Sequence, residues 1–172
     1  MIAVDTNLLV YAHRRDSPHN DAAFRVLQIL ASGREMWAIP WPCLHEFLAV
    51  VTNTRLFRDP TPMKAAIEQV EVWLDAPRLV LLKESDGYWA VLADVLREGR
   101  ACGGAVHDAR IAALCLEHGV AELWTADRDF ARFPGIATFN PLTDERVHES
   151  PVAYAVAKRA RAAGRQMALA GR

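Results

Sequence analysis

Ile2-Ala3-Val4-Asp5-Thr6-Asn7-Leu8-Leu9-Val10-Tyr11-Ala12 decides how the rest of the chain is read. Three apolar residues stop at a carboxylate, and an apolar helical pattern resumes a few residues later. A short run of this kind suits a buried parallel strand, and Thr6 or Asn7 can cap the helix that follows. A carboxylate against an apolar strand is costly unless it is paired, hydrogen-bonded or metal-bound. Asp5 is therefore expected at the carboxyl end of a first strand, where open parallel sheets gather their functional groups.

The same alternation repeats along the chain. Ser17-Pro18 reads as a helix start, followed by an apolar stripe through Phe24, Leu27 and Leu30 up to Gly33. Residues 36–39 read as a second strand. Pro42 starts a helix with Phe47, Leu48 and Val51 on its apolar face. Thr61-Pro62 opens another, with Met63, Ile67, Val70 and Leu74 at helical spacing, a face for the domain or for a twin subunit. Residues 79–82 are the plainest strand. Ser85 is read as the cap of a helix to about Gly99. An Ala-rich helix over 105–118 lies between Gly103-Gly104 and Gly119, and residues 122–125 and 136–139 complete the strands. Strands separated by helices predict an α/β fold with a parallel sheet between helices. One domain is expected over residues 1–148.

The chain has 172 residues, of which 52% are hydrophobic and 24% charged, so neither disorder nor low complexity describes it as a whole. The formal net charge is −1, which by itself argues against a simple basic nucleic-acid binder. The charge is unevenly placed. Residues 1–150 carry 15 bases and all 21 acids, whereas the last 22 residues carry Lys158, Arg159, Arg161, Arg165 and Arg172 with no acid. That basic, Ala-rich tail over 149–172 reads as either helical or disordered. Cys43, Cys102 and Cys115 form no CxxC pair, lie in apolar stretches and read as buried small hydrophobes rather than a disulfide or zinc framework. No stretch reaches the ~18 uncharged apolar residues of a membrane span. No signal-peptide pattern is present either, so a cytoplasmic protein is expected.

Further acids accompany Asp5. Asp127 and Asp129 follow the 122–125 strand, Glu46 lies just after Pro42, and Asp108 lies just after Gly103-Gly104. Taken singly, each has a plain explanation as a turn, cap or solvated helix residue. Converging on one crevice, they would repel unless they shared protons or bound cations. Hard divalent cations, Mg²⁺ or Mn²⁺, suit an all-carboxylate site. His45 and His107 adjoin two of the acids but lie in no spaced pair, and read as neighbours rather than ligands.

Asp5-Thr6-Asn7, Glu46, Asp108 and Thr125-Ala126-Asp127-Arg128-Asp129-Phe130, in this order, resemble the PIN-domain ribonucleases, especially the VapC-like toxins of bacterial toxin–antitoxin pairs. The resemblance covers roughly residues 1–142. It implies a metal-dependent endoribonuclease holding one or two Mg²⁺ or Mn²⁺ ions, with Asp5 and Asp108 as main ligands and Glu46 as second acid. Asp127 and Asp129 compete for the last acidic position. It also implies that Thr6, Asn7 and Thr125 hold the acids or a bound water, although Asn7 reads equally as a helix cap. A small antitoxin with a basic inhibitory segment and a homodimer are implied as well. The tail departs from the family pattern.

Hydrolysis by a metal-activated water would leave 5′-phosphate and 3′-hydroxyl ends. Arg14, Arg15, Arg128 and Arg132 are candidates for meeting RNA phosphates, against a reading as solvated surface charge. The tryptophans read as core, with Trp41 set aside for RNA or partner contact. Two alternatives remain at this level. One is a PIN-type nuclease acting on single-stranded DNA. The other is a non-catalytic acidic module that receives a basic partner peptide. A dinucleotide enzyme would need a glycine-rich turn after the first strand, and Asp-Thr-Asn-Leu-Leu supplies none.

Overall fold

The strand expected at the start forms as β1 (Ile2–Val4), and α1 (Thr6–His13) follows immediately with Asp5 as its cap. The chain continues through α2 (Asn20–Ser32), β2 (Trp37–Pro40), α3 (Trp41–Val51), α4 (Met63–Leu74) and β3 (Leu79–Leu82). The described residues continue with α5 (Tyr88–Glu98), α6 (Ala105–Glu117), β4 (Glu122–Trp124), a 3₁₀ turn (Arg128–Arg132), β5 (Thr138–Phe139) and a second 3₁₀ turn (Pro141–Thr143). This computed structural model describes residues 1–143. The 148/149 boundary and the reading of the tail lie outside the described residues.

All five strands are parallel, in the order β3-β2-β1-β4-β5. The chain moves outward from β1 to β3, then returns to lay β4 on the other side of β1. The order thus reverses between β1 and β4, which is where such sheets open a crevice at their carboxyl ends. Successive strand residues point to opposite faces. Ile2, Ala3 and Val4 are all buried, so helices cover both faces of the sheet. The register pairs Val4 with Trp124, and the Asp5 N–H donates to the Trp124 carbonyl at 3.0 Å. Asp5 and Thr125 therefore leave the sheet side by side.

Several local expectations are corrected. Ser17-Pro18 does not start α2. The Ser17 carbonyl and hydroxyl instead accept from Asn20 N and His19 N, forming a turn that delays the helix to Asn20. Ser85 does the same before α5, accepting from Gly87 N and Tyr88 N, while its hydroxyl donates to Glu117. On α4 the buried stripe is Ala66, Val70 and Trp73, so Met63, Ile67 and Leu74 point outward. Here the smaller Ala66 lets the helix lie close to α3, and Trp73 packs edge-on to Phe47 at 4.7 Å. Cys43 and Cys115 are buried as expected, but Cys102 is exposed in the turn before α6. Trp37, Trp73 and Trp124 are core, Trp41 is half-buried, and Trp89 is exposed on α5.

Candidate active site at the carboxyl ends of β1 and β4

Asp5 occupies the switch point and is only 4% exposed. Its carboxylate is held from three sides. Oδ1 accepts from the Thr6 N–H at 2.7 Å, and Oδ2 accepts from Asn7 Nδ2 at 2.6 Å and from the Thr125 hydroxyl at 2.7 Å. The Cys43 thiol approaches Oδ1 at 3.9 Å, a contact with no signal in the sequence. Thr6 N is the first free N–H of α1, so capping and site-building are one interaction.

Asn7 is more than a cap. Its amide nitrogen donates to both Asp5 and the Thr125 hydroxyl, and its Oδ1 accepts from Ala126 N at 3.1 Å. Thr125, 2% exposed, donates to Asp5 and accepts from Asn7 and from Asp127 N. Through these bonds the start of α1 and the loop after β4 become one rigid unit. Thr6 reaches the other way, its hydroxyl donating to Glu46 Oε2 at 2.6 Å. Glu46 is exposed on α3. Asp127 caps the 3₁₀ turn, its Oδ1 accepting from Asp129 N at 2.8 Å, which leaves its other oxygen uncommitted to the backbone.

Burial pushes the Asp5 carboxyl from 3.8 up to about 6. The Thr125 and Thr6 bonds pull it down, while the charges of Glu46 and Asp108 raise it further. Asp108, half-buried in the first turn of α6, is also raised, first by burial and then by Asp127, Glu46 and Asp129, with Arg132 opposing. Asp127 acts on Asp108 more strongly than Asp129 does. The five acids of the sequence reading thus share one electrostatic environment.

The basic candidates separate. Arg14 is committed to the fold: it binds Asp16 through Nε and Nη2, donates to the Asp59 carbonyl and lies 4.0 Å over the Phe57 ring. Its side chain is only 10% exposed, which leaves little of it for phosphate. Arg15 and Arg128 are exposed, and Arg132 is exposed and close enough to Asp108 to oppose its protonation.

Among the described residues, no group of three or more His, Cys, Asp or Glu is arranged to hold a metal ion with the side chains as they stand. Mg²⁺ keeps several waters and takes only one or two carboxylates directly. The donor set here is all oxygen, and Asp5 retains part of its acceptor capacity beside three hydrogen bonds. Two acids raised by burial and then by the charges of neighbouring acids are also what a bound cation would relieve. The residues present therefore fit a hydrated Mg²⁺ or Mn²⁺ better than a thiolate- or imidazole-bound metal.

Residues 2–136 match the family model for the PIN domain. The chain belongs to the PIN-domain family. Among its curated relatives, ribonuclease VapC43 of Mycobacterium tuberculosis is 36% identical over 148 residues, covering 86% of this chain and 99% of the relative. Ribonuclease VapC48 of the same organism is 32% identical over 139 residues, covering 81% and 96%. Among solved structures, VapBC2 from Rickettsia felis bound to a DNA fragment from its promoter superposes with a TM-score of 0.61 at 22% identity, over 81% of this chain and 98% of that one. This PIN domain thus keeps the VapC-like architecture from β1 to β5. Among its described residues, no helix is long and apolar enough to cross a membrane.

Proposed function

We propose that this PIN domain is a Mg²⁺- or Mn²⁺-dependent endoribonuclease, the toxin of a toxin–antitoxin pair, which cuts RNA to 5′-phosphate and 3′-hydroxyl ends. The observation that carries the reading is the buried Asp5 at the switch point, electrostatically coupled to Glu46 and Asp108. The family and the ribonuclease names of its relatives support the substrate class.

Asp5, Asp108, Glu46 and one of Asp127 and Asp129 would hold the ion or ions. Bound there, such an ion would neutralise phosphodiester charge and lower the pKa of a water. The chain's own residues prepare that step. Thr6, Asn7 and Thr125 fix the Asp5 carboxylate before substrate arrives, so no reorganisation is needed during reaction. Glu46, exposed and oriented by Thr6, is placed to accept a proton from the attacking water. Asp127, nearer electrostatically to Asp108, is the better choice for the fourth acid. Arg132 and Arg128 lie beside the acids and suit phosphate contact.

A small antitoxin with a basic inhibitory segment completes this reading. Solved neighbours described as VapBC complexes support it, as would a small open reading frame adjoining the gene. A homodimer belongs to the same reading, and sedimentation measures it. The test of activity is side-by-side digestion of RNA and single-stranded DNA by the wild type and Asp5→Asn, with and without Mg²⁺. RNA cleavage that needs both the metal and Asp5 is expected. Preferential cleavage of DNA would move the substrate to the alternative class, and metal-independent cleavage would remove the proposed site.

A further inference from the structure

α6 brings Asp108 to the crevice, and the helix is entered through Gly103-Gly104. Gly103 has a φ of +57°, a left-handed conformation that calls for glycine. Gly104 does not. Its φ and ψ are −58° and −33°, which any L-residue adopts, and no other part of the described chain comes within 4 Å of where its Cβ would stand. Gly99, at the end of α5, is different, since a Cβ there would meet the Phe133 ring at 2.6 Å. Gly104 also has helical dihedrals rather than the extended ones of a typical cap, so capping does not call for glycine either. Neither the backbone nor the packing explains the missing side chain at 104.

We propose that Gly104 is a specificity-determining position, left bare so that the sugar–phosphate strand of the RNA passes against α6 beside the Asp108 carboxylate. The inference rests on the nuclease reading above and deepens it. Position is its first support. Residues four apart share a helical face, with Cβ atoms about 5–6 Å from one another. Helical side chains also lean toward the N-terminus, so Asp108 covers the turn at Gly104. A ligand that reaches Asp108 along α6 therefore passes over Gly104.

The surroundings of Asp108 are the second support. Asp127, Asp129 and Arg132 act on its carboxyl from the loop and 3₁₀ turn after β4, and Glu46 acts on it from α3. Those sides are filled with charged side chains, and the side toward Gly104 is open. The turn offers room rather than an anion cradle. The N–H groups of Ala105, Val106 and His107 already donate to the carbonyls of Cys102, Gly103 and Gly104, at 3.2, 3.2 and 3.0 Å. Close approach of a ligand to the backbone is one of the uses that only glycine serves, because any Cβ would stand in the way. Here the ligand is a strand with a bulky phosphate at every residue, drawn to the ion or ions that Asp108 would help to hold.

Gly104→Ala and Gly104→Leu in the full-length protein test this. For each, kcat and KM are measured on an RNA that the wild type cleaves, together with urea unfolding and the stabilisation given by Mg²⁺ alone. Gly104→Leu is expected to lower kcat/KM by about tenfold or more, mainly through KM, and Gly104→Ala by a smaller factor. Both variants should unfold at a urea concentration close to that of the wild type, since their side chains meet open space on a compatible backbone. Mg²⁺ should stabilise them as it stabilises the wild type. An unchanged kcat/KM in Gly104→Leu would overturn the inference and leave the proposed activity standing. A loss of stability, or of stabilisation by Mg²⁺, that matches the loss of activity would also overturn it, by making Gly104 a residue of the fold or of the ion site. A wild type that cleaves no RNA would refute the activity itself, and the inference with it.

Discussion

Replacing Asp5 with Asn tests whether the buried carboxylate is held for its charge. The rise of its pKa from 3.8 to about 6 corresponds to about 3 kcal/mol against the ionised form. The sign follows from proton binding. The folded state holds the Asp5 proton more tightly than the unfolded chain. Asp5 therefore costs nothing below pH 3.8, and stability is lost as pH rises through about 6. In the metal-free protein at pH 7 the full cost is present, and Asn removes it. Asn also brings an N–H₂ against two donors, Asn7 Nδ2 and the Thr125 hydroxyl. Losing those acceptor contacts costs about 1–2 kcal/mol. The variant should thus be about 1–2 kcal/mol more stable than wild type at pH 7 and about 1–2 kcal/mol less stable at pH 4. Urea unfolding in a chelator at pH 4, 5, 6 and 7 measures this difference, which should change sign across the range. Cleavage should be abolished throughout. Saturating Mg²⁺ should stabilise wild type, by about 2.7 kcal/mol at a hundred times its Kd, and the variant much less. A stability difference independent of pH, or a variant more than about 2 kcal/mol weaker at pH 7, would refute the reasoning.

Thr125→Val removes the hydroxyl that donates to Asp5 and accepts from Asn7 and Asp127. A loss of about 1–3 kcal/mol by denaturant unfolding is expected, with the acidic limb of the pH–rate profile moved upward, since that bond holds the Asp5 carboxyl down. Gly99→Ala should cost about 1–3 kcal/mol in the same assay, because a Cβ there would stand 2.6 Å from the buried Phe133 ring and 3.0 Å from the Val95 carbonyl. Arg14→Ala should lower thermal stability while leaving kcat/KM for RNA within about twofold, since its guanidinium ties Asp16 to the 57–59 loop. Arg132→Gln should do the reverse, weakening cleavage and raising the Asp108 carboxyl further, which NMR titration of that carboxyl would follow.

The strand–helix alternation was legible because each apolar run is short and ends at a polar or turn residue. Asp5 was legible for the same reason, as a charge where the pattern demands burial. The helix starts at Ser17-Pro18 and Ser85 were misplaced because a serine before a helix can close a turn with its carbonyl as readily as it caps. Local sequence does not distinguish the two. Of the two places open to the α4 face at 63, 67, 70 and 74, the domain core takes only Val70, because the ridge buried within the chain is 66, 70 and 73. Ala66 carries little hydrophobic signal, yet it sits deepest because it is small. Arg14 reads as a phosphate ligand because, besides Asp16, its partners Asp59 and Phe57 lie more than forty residues away. The order of strands, which creates the switch point, is likewise a long-range fact.

Under the proposed function, charge placement is what lets a net-acidic domain work on a polyanion. Five of the acids in residues 1–150 are the proposed site, and without them that region has a net charge close to zero. The negative potential is thus local to the crevice, where bound cations would cancel it and leave Arg128 and Arg132 at its edge. The polar residues between the acids serve this arrangement. Thr6, Asn7 and Thr125 add no charge, yet they make seven of the hydrogen bonds that fix Asp5, Glu46 and the 125–127 loop. A carboxylate so held can remain ionised at neutral pH in a site 4% exposed, whereas an unheld one would protonate and lose its affinity for a cation. The motif Asp5-Thr6-Asn7 is on this account one device. In the proposed function the acid is the ligand, and the Thr125 hydroxyl and the Thr6 N–H are what hold its carboxyl down against burial.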